Sequence, residues 1–309
     1  MRFPPATHLS PVSFGFRPKR SAHQALEAIR VTANRGADWV LDADIKACFD
    51  EIDHDALIRQ VERRVVDGEM LKLLRSWLRA GVFEGGLVSD TETGTPQGSP
   101  ISPLLANIAL HVLDQAWVAM AGLGTLVRYA DDFVVVTTSR QRAEEARRRI
   151  EVVLAGLGLR LHPDKTRIVF LGGGQDGFDF LGFHHRKTPS KFGSRRYLSK
   201  WPSDQAMASL RAKVRERTGR HLASRDLHIV VADLNPVLRG WGAYFRYGNS
   251  NRKFALIDSY VHWRLSKLAS VKHATRSRLR VSRFNYGWLT ELGIHRLAGS
   301  VRRWAPAHA

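Results

Sequence analysis

Two adjacent carboxylates, Asp131 and Asp132, are the residues of this sequence with the clearest capacity for chemistry. They separate the apolar residues 126–127 from the apolar residues 133–136, which predicts a hairpin over 126–138 with both carboxylates at its tip. Adjacent carboxylates repel each other unless a cation neutralises them, and Mg²⁺ prefers hard oxygen ligands of this kind. The pair is therefore a candidate metal site, and the alternative is a plain turn, in which Asp is a favoured residue.

A third carboxylate, Asp44, lies near the end of a separate stretch, 39–45, whose pattern predicts a short strand. If this strand is the neighbour of the hairpin, Asp44 lies close to Asp131. The three carboxylates could then hold two divalent ions about 3.5–4 Å apart, which is the arrangement that polymerases use. Asp42 and Asp50 flank Asp44 in the sequence, and these two could be surface or helix-capping residues.

The elements that must position these carboxylates alternate between helices and strands up to about residue 195. We expect strands at 39–45, a hairpin at 81–95, the hairpin at 126–138, and paired strands at 168–171 and 178–183. We expect helices from Ser21 to Gly36 and over 55–66, 69–79, 102–120, 141–157, 203–218, 235–244 and 253–270. The change to basic helices predicts an α+β protein with two domains, 1–195 and 196–309.

The excess of positive over negative charge lies entirely in the C-terminal part of the chain. Residues 186–309 contain 26 Lys and Arg against 6 Asp and Glu, a net charge of +20, whereas residues 1–185 have 22 against 23. Such a block attracts a polyanion through phosphate contacts, and its tryptophans could stack on bases. The alternatives are a solvated basic surface or binding to anionic lipids, and each tryptophan taken alone is more often a core residue.

The composition excludes several other classes of protein. Cys48 is the only cysteine, so a disulfide framework and a cysteine zinc cluster are both impossible, and a reducing cytoplasm fits. Residues 1–11 lack the apolar core of a signal peptide. The apolar stretch 104–124 is interrupted by His111, Asp114 and Gln115, which favours a buried helix over a membrane span.

Longer words in the sequence resemble the reverse transcriptases of group II introns. Residues 129–132, YADD, are similar to the catalytic box of that family, and 44–50, DIKACFD, are similar to the motif with its first aspartate. Residues 94–103, GTPQGSPISP, match the intervening motif almost word for word, and all three occur in the family's order. The resemblance covers about residues 11–270, and its last part, 234–268, is similar to the maturase or thumb domain.

The resemblance implies specific roles at the polymerase site. It makes Asp44, Asp131 and Asp132 the catalytic metal ligands, with the carbonyl of Ile45 also facing a metal. It assigns contacts with the incoming nucleotide to four residues, namely Phe49, Gln97, Gly98 and Lys165. In this scheme Phe49 excludes a ribose 2′-hydroxyl and Lys165 neutralises or protonates the pyrophosphate. The alternatives are a core phenylalanine, a polar loop glutamine and a solvated lysine.

The resemblance also implies a set of nucleic-acid contacts. They fall in the words FGFRP at 14–18, YADD, FLGF at 180–183 and the maturase region. The residues are Arg17, Tyr129, Leu181, Gly182, Arg239, Trp241, Tyr244 and Arg246. For Arg17 two roles stay open, a contact with template phosphate and a brace within the palm.

The function implied by the resemblance is an RNA-directed DNA polymerase that also binds intron RNA to assist splicing and mobility. Its cofactors would be two Mg²⁺ ions, with Mn²⁺ as a substitute. Its partners would be template RNA, intron RNA, a DNA primer and dNTPs. We expect the protein in the bacterial cytoplasm and expect no membrane partner. Family members carry a fingers region before the FGFRP word, and 13 residues precede Phe14 here, so we expect a truncated protein, a partner that supplies fingers, or function without them. The sequence also leaves open whether the chain forms a homodimer. The alternatives are a non-catalytic RNA-binding maturase or remnant, and a free-standing reverse transcriptase in phage defence or with a CRISPR array.

Overall fold

The computed structural model describes residues 11–79, 82–84, 87–89, 101–190, 193, 195–274 and 283–304, and omits the side chains of 49–50, 82–84 and 87–89. Gln97 and Gly98 therefore lie outside the described residues. The chain divides into two compact units. The first unit consists of Met1–Phe178 and Lys187–Leu198, and the second unit consists of Asp179–Arg186 and Ser199–Ala309. The domain boundary expected at residues 195 and 196 stays a prediction.

The first unit is built on a four-stranded antiparallel sheet with the strand order β4-β5-β1-β6. Its strands are β1 (Trp39–Asp44), β4 (Thr125–Tyr129), β5 (Asp132–Thr137) and β6 (Arg167–Phe170). The four apolar residues 133–136 of β5 are all 0% exposed. A continuous apolar run suits an inner strand whose two faces are both covered, and β5 is such a strand because it lies between β4 and β1.

Helices of the first unit begin where a side chain can satisfy the free backbone N–H groups. Ser21 and Gln24 form a capping box at the start of α1 (Ala22–Asn34). Asp53 caps α3 (His54–Glu62), and Ser139 caps α6 (Arg140–Ala155). The other helices are α2 (Cys48–Glu51), α4 (Gly68–Arg79) and α5 (Ser102–Ala119). α3 ends earlier than the expected residue 66, and Val66 is 96% exposed, so this apolar residue does not extend the buried face.

The core of the first unit lies between one face of the sheet and helices α3 to α6. Leu41 and Phe133 contribute from the strands, and Leu57, Leu110 and Ile150 contribute from the helices. All of these side chains are at most 1% exposed. The antiparallel sheet with packed helices that the sequence predicted is confirmed.

Two further β structures complete the strand pattern. β2 (Val82–Glu84) and β3 (Leu87–Ser89) pair as the expected hairpin. β7 (Gly177–Phe180), β8 (Phe183–Pro189) and β9 (Arg196–Pro202) form a separate three-stranded sheet in that order. The expected pairing of 168–171 with 178–183 is therefore wrong. β6 pairs with β1 instead, and β7 turns into β8 through two residues of positive φ, Leu181 (50°) and Gly182 (75°), which suit a two-residue hairpin turn.

The described part of the second unit after β9 is helical. It contains α7 (Asp204–Glu216), a short 3₁₀ turn (Arg220–Leu222), α8 (Leu227–Phe245), α9 (Asn251–Lys272) and α10 (Tyr286–Glu291). The expectation that a helix opens at Asn235 is wrong, because α8 begins eight residues earlier and contains Pro236 in its interior. Asp226 caps that earlier start through the N–H of His228, and the buried residues Val230, Val231 and Leu234 give the added turns an apolar face. Among the residues that the structure describes, no helix combines the length and apolarity needed to cross a bilayer.

Candidate active site

The sheet brings the three candidate carboxylates together. Asp44 is the last residue of β1, and its Cα is the direct ladder partner of Asp132 at the start of β5. Asp131 lies beside it in the two-residue turn between β4 and β5, after Ala130 at a φ of 58°. The expectation that the strand of Asp44 is the neighbour of the hairpin is confirmed. The geometry follows from antiparallel pairing, which sets a strand end opposite a strand start.

The environment of Asp131 and Asp132 disfavours their ionised forms. Burial, followed by the negative charges of Asp42, Asp44 and Asp131, raises the pKa of Asp132 to about 7. Burial is also the main cause of a raised pKa at Asp131, to which Asp44 adds. Like charges at short range in a partly buried site favour the neutral carboxyl unless a cation is close. The tip of the hairpin is thus a place where positive charge is stabilising.

Lys165 supplies one such charge. Its ammonium Nζ donates to Asp44 Oδ2 at 2.8 Å, and the hydrogen bond with Asp44 raises the pKa of Lys165. Backbone contacts position the loop that carries it, because the N–H of His162 donates to the Asp44 carbonyl at 2.8 Å and Ile45 forms a β-bridge with Leu161. The loop that carries Lys165 is therefore joined to the end of β1.

The donor set suits a divalent cation. Within the described ranges, no three or more His, Cys, Asp or Glu side chains are arranged as a group that could hold a metal ion. Asp44, Asp131 and Asp132 nevertheless offer hard oxygen ligands at a site where burial and neighbouring negative charges raise the pKa of Asp131 and Asp132. Mg²⁺ binds through one or two carboxylates together with substrate phosphates and water, so a full cage of protein ligands is not required.

Other residues expected in the polymerase site are placed less completely. Ile45 is 2% exposed at the end of β1, and Phe49 lies in α2 without a described side chain. Arg17 donates from Nη1 to the Ser13 carbonyl at 2.7 Å. The ring of Tyr129 lies 6.3 Å from that of Phe16, centroid to centroid. These positions leave the expected contacts with nucleotide and template as predictions.

A buried ion pair beside the hairpin was missed by sequence reasoning. Arg128 precedes Tyr129 and is 1% exposed, and it donates from Nε and Nη2 to both carboxylate oxygens of Asp114 at 2.8 and 2.6 Å. Burial alone would raise the pKa of Asp114, but the hydrogen bonds from Arg128 and the nearby His111, whose Nδ1 lies 3.9 Å from Asp114 Oδ2, lower it. The available signal was a charged residue within each of two apolar stretches, since charged residues are seldom fully buried unless they are paired.

In the second unit, several residues expected to bind nucleic acid contact the protein itself. The hydroxyl of Tyr244 donates to the Leu181 carbonyl at 2.9 Å, and the Gly182 carbonyl accepts from the N–H of Ser203. The ring of Trp241 packs 4.6 Å from that of Phe245. Arg246 donates to the Tyr247 hydroxyl, and Arg239 is exposed. Trp241 and Tyr244 are thus engaged in packing, which leaves less of each ring for a base.

A different surface of the second unit combines exposed aromatic and basic groups. Trp263 on α9 is 43% exposed, and the ammonium of Lys267 lies 5.3 Å from its ring centroid. Tyr260 is 6.0 Å from Trp263 and receives the guanidinium of Arg211 from α7 at 5.8 Å. We call these four residues the α7–α9 surface. Exposed rings beside cations are the features that single-stranded nucleic acid requires for stacking and phosphate contact.

An α+β domain with clustered carboxylates at a hairpin tip defines a candidate nucleotidyltransferase. Residues 2–185 match the family described as reverse transcriptase (RNA-dependent DNA polymerase), and residues 207–286 match the group II intron, maturase-specific domain. The chain belongs to the reverse transcriptase family and carries a group II intron maturase domain. The resemblance drawn from the sequence motifs is confirmed.

Individual relatives agree with this assignment. The chain is 34% identical to protein YkfC of Escherichia coli over 63% of its own length and 60% of that protein. It is 48% identical to the group II intron-encoded protein LtrA of Lactococcus lactis over 34% of this chain and 17% of that protein. It is 32% identical to the retron Mx162 reverse transcriptase of Myxococcus xanthus over 45% of this chain and 33% of that protein. The chain therefore spans only part of the relatives it matches.

One solved structure illustrates the limits of structural likeness. Apo telomerase from Candida tropicalis aligns with a TM-score of 0.49 at 14% identity, covering 89% of this chain and 52% of that chain. At this level the likeness carries no information about function.

Proposed function

We propose that this chain is an RNA-directed DNA polymerase of the group II intron type that also binds intron RNA to assist splicing and mobility. The observation that carries the proposal is the direct pairing of Asp44 with Asp132 beside Asp131. Burial, together with nearby negative charges, raises the pKa of Asp131 and Asp132, and these two carboxylates and Asp44 suit divalent cations, which the reverse transcriptase family uses in general.

In this proposal Asp44, Asp131 and Asp132 would hold two Mg²⁺ ions, with Mn²⁺ as a substitute and the Ile45 carbonyl nearby. When bound, the ions would supply Lewis-acid stabilisation of charge on the reacting phosphate and hydroxyl oxygens. Lys165 now pairs with Asp44. If a cation takes its place, the ammonium becomes available to neutralise the charge of the departing pyrophosphate.

The remaining contacts in the proposal divide between the two units. Phe49, Gln97 and Gly98 would border the incoming nucleotide, and Arg17 and Tyr129 the template. In the second unit the proposed RNA contacts are Leu181, Gly182, Arg239, Trp241, Tyr244 and Arg246. To these we add the α7–α9 surface, because Trp263 is exposed beside a lysine. Template RNA, intron RNA, a DNA primer and dNTPs would be the partners.

The second candidate is a non-catalytic maturase that uses the palm only as a scaffold. One observation favours it: the ion pair between Lys165 and Asp44 already neutralises part of the acidic cluster without a metal. A scaffold of this kind would need RNA affinity but no carboxylates at the hairpin tip. The two candidates therefore differ in their response to the loss of Asp131 and Asp132.

Primer extension on an RNA template separates the candidates. We expect Asp131→Ala with Asp132→Ala to abolish extension while the affinity for RNA changes by less than about twofold, because the excess positive charge that would contact phosphates belongs to residues 186–309. The matched control is Glu144→Ala with Glu145→Ala, which removes the same two charges from exposed α6. Equal extension by the parent and the hairpin variant would refute the polymerase assignment and leave the scaffold.

A further inference from the structure

We propose that Arg128 is a positioning residue for the proposed polymerase reaction, because its buried guanidinium holds the hairpin turn that carries Asp131 in the conformation that sets both carboxylates opposite Asp44. The inference rests on the proposed function for its catalytic consequence. Its structural basis lies entirely within the first unit, in the described residues around the β4–β5 turn.

All five N–H donors of the Arg128 guanidinium are used. Nε and Nη2 bind Asp114, Nη1 donates to Asn107 Oδ1 at 3.0 Å, and Nη2 donates to Ser13 Oγ at 2.9 Å. The fifth bond runs from Nη1 to the backbone carbonyl of Ala130 at 2.8 Å. A guanidinium has five donors in a rigid fork, so this set of bonds fixes its orientation completely.

The bond to Ala130 is made at the one strained residue of the turn. Ala130 has a φ of 58°, in the left-handed region that a residue with a Cβ adopts at a cost. A residue held in this region persists when its surroundings determine it. Here the surroundings include the buried guanidinium of Arg128, which is held in one position by its ion pair with Asp114 of α5, a residue that is 0% exposed.

The β4–β5 turn is also contacted by the chain segment 12–15. Residues 12–14 run beside Arg128, with the N–H of Arg128 donating to the Val12 carbonyl and the N–H of Phe14 donating to the Arg128 carbonyl. Gly15 then approaches the turn so closely that a Cβ on it would lie 2.5 Å from the Ala130 nitrogen. Asn107 joins the two parts, since its Nδ2 donates to the Gly15 carbonyl while its Oδ1 accepts from Arg128.

A purely structural role predicts a different pattern from a positioning role. A buried pair kept only for stability can be exchanged for apolar residues of similar size without loss. A positioning pair cannot, because the apolar substitute donates nothing to the Ala130 carbonyl. The double variant Arg128→Met with Asp114→Leu therefore leaves no unpaired charge in the core and removes the restraint on the turn, together with the bonds of Arg128 to Asn107 and Ser13.

The test compares this double variant with Arg128→Lys and with Asp38→Asn, which breaks the ion pair of Asp38 with Lys187 elsewhere in the first unit. In amide hydrogen exchange we expect residues 129–133 to exchange about 10-fold faster or more in both Arg128 variants, and at the parental rate in Asp38→Asn, as the loss of one buried charge-assisted bond implies. In primer extension, at a temperature where every variant is folded, kcat should fall by about 10-fold or more while KM for dNTP changes by less than about threefold.

Rescue sharpens the test. Ala130→Gly added to Arg128→Lys should restore slow exchange and part of kcat, because glycine adopts a positive φ without help. Equal exchange rates in the Arg128 and Asp38 variants, or no recovery with Gly at position 130, would overturn the inference. Hydrogen exchange needs no polymerase activity, so a parent chain that extends no primer would defeat the proposed function while exchange still decides the role of Arg128.

Discussion

The two units of this protein use charge in opposite ways. In the first unit the ionic groups that matter are buried or half-buried, as in the Arg128–Asp114 pair and the carboxylates around Asp132. In the second unit the cations of the α7–α9 surface lie at the solvent boundary beside exposed rings. Buried charges are weakly screened and depend on fixed partners, whereas exposed charges are screened by salt.

This difference separates two requirements, the exact placement of the carboxylates in the first unit and the affinity for a polyanion in the second unit. An orientation-dependent site needs carboxylates whose positions the sheet and its buried pairs determine, and the first unit supplies that rigidity. A surface that binds an irregular polyanion needs many replaceable contacts instead. Substitutions in the first unit should therefore change the rate of catalysis, and substitutions in the second unit should change the affinity for RNA.

The largest expected effect comes from Asp44→Asn. This change keeps the shape of the side chain but removes a charge opposite Asp132, so we expect primer extension to fall by about 10³-fold or more, as for the loss of other electrostatic groups at reacting phosphates. RNA affinity, measured by filter binding, should be unchanged. Asp42→Asn, on the same strand and paired with Arg167, should cost less than about 10-fold and serves as the control. Similar losses of extension in both variants would contradict the assignment of Asp44 as a metal ligand.

Gly15→Ala should produce the next largest effect. The new methyl would lie 2.5 Å from the Ala130 backbone nitrogen, and backbone cannot yield as a flexible side chain does. We expect kcat to fall by about 10- to 100-fold, as small misplacements of catalytic groups do, with RNA affinity retained. Gly68→Ala is the control, because nothing lies within 4 Å of a Cβ there. Unaltered kcat would show that the turn tolerates displacement.

In the second unit, Trp263→Ala with Lys267→Ala should weaken RNA binding by about 10-fold, the expected loss for one stacked base with an adjacent cation. The affinity of the parent should fall steeply with salt, and the slope of its logarithm against the logarithm of salt concentration should decrease by about 1 in the variant. Extension at saturating RNA should be unchanged. Leu256→Ala, another exposed residue of α9, is the control. A flat salt response in the parent would refute the basic-surface assignment.

The smallest effect concerns pH and one buried histidine. Burial, with the positive charges of Lys200 and His184, lowers the pKa of His185 to about 3, against about 6.5 when unfolded. The folded state thus resists protonation, so stability is fully present above pH 6.5 and is lost as pH falls from 6.5 towards 3, by at most about 1.4 kcal/mol per pH unit.

His185→Asn removes this group. The difference in urea midpoint between pH 7.5 and pH 5.5 should be smaller in the variant than in the parent, as measured by circular dichroism. His184→Asn is the comparison, because His184 is more exposed and pairs with Asp179 at 2.6 Å. An identical pH dependence in the parent and His185→Asn would show that His185 does not couple folding to protonation.

Local patterns in the sequence determined the elements and the family. The residues Ser21 and Ser203 mark helix starts that the structure reproduces, because a cap is a contact within three residues of the chain. The apolar run 133–136 predicted a strand of the hairpin from local pattern in the same way. The YADD word and its companions then identified the family without any knowledge of distances.

Only the tertiary structure decided which strands pair and which charges meet. The sequence wrongly paired 168–171 with 178–183, because strand pairing over long separations depends on the whole sheet rather than on the turn between neighbours. Arg128 and Asp114 are 14 residues apart on different elements, and although each is a charged residue within an apolar stretch, only the structure shows that they pair with each other. The contact of Lys165 with Asp44 spans 121 residues and likewise follows from the folded backbone, in which β1 meets the loop before β6.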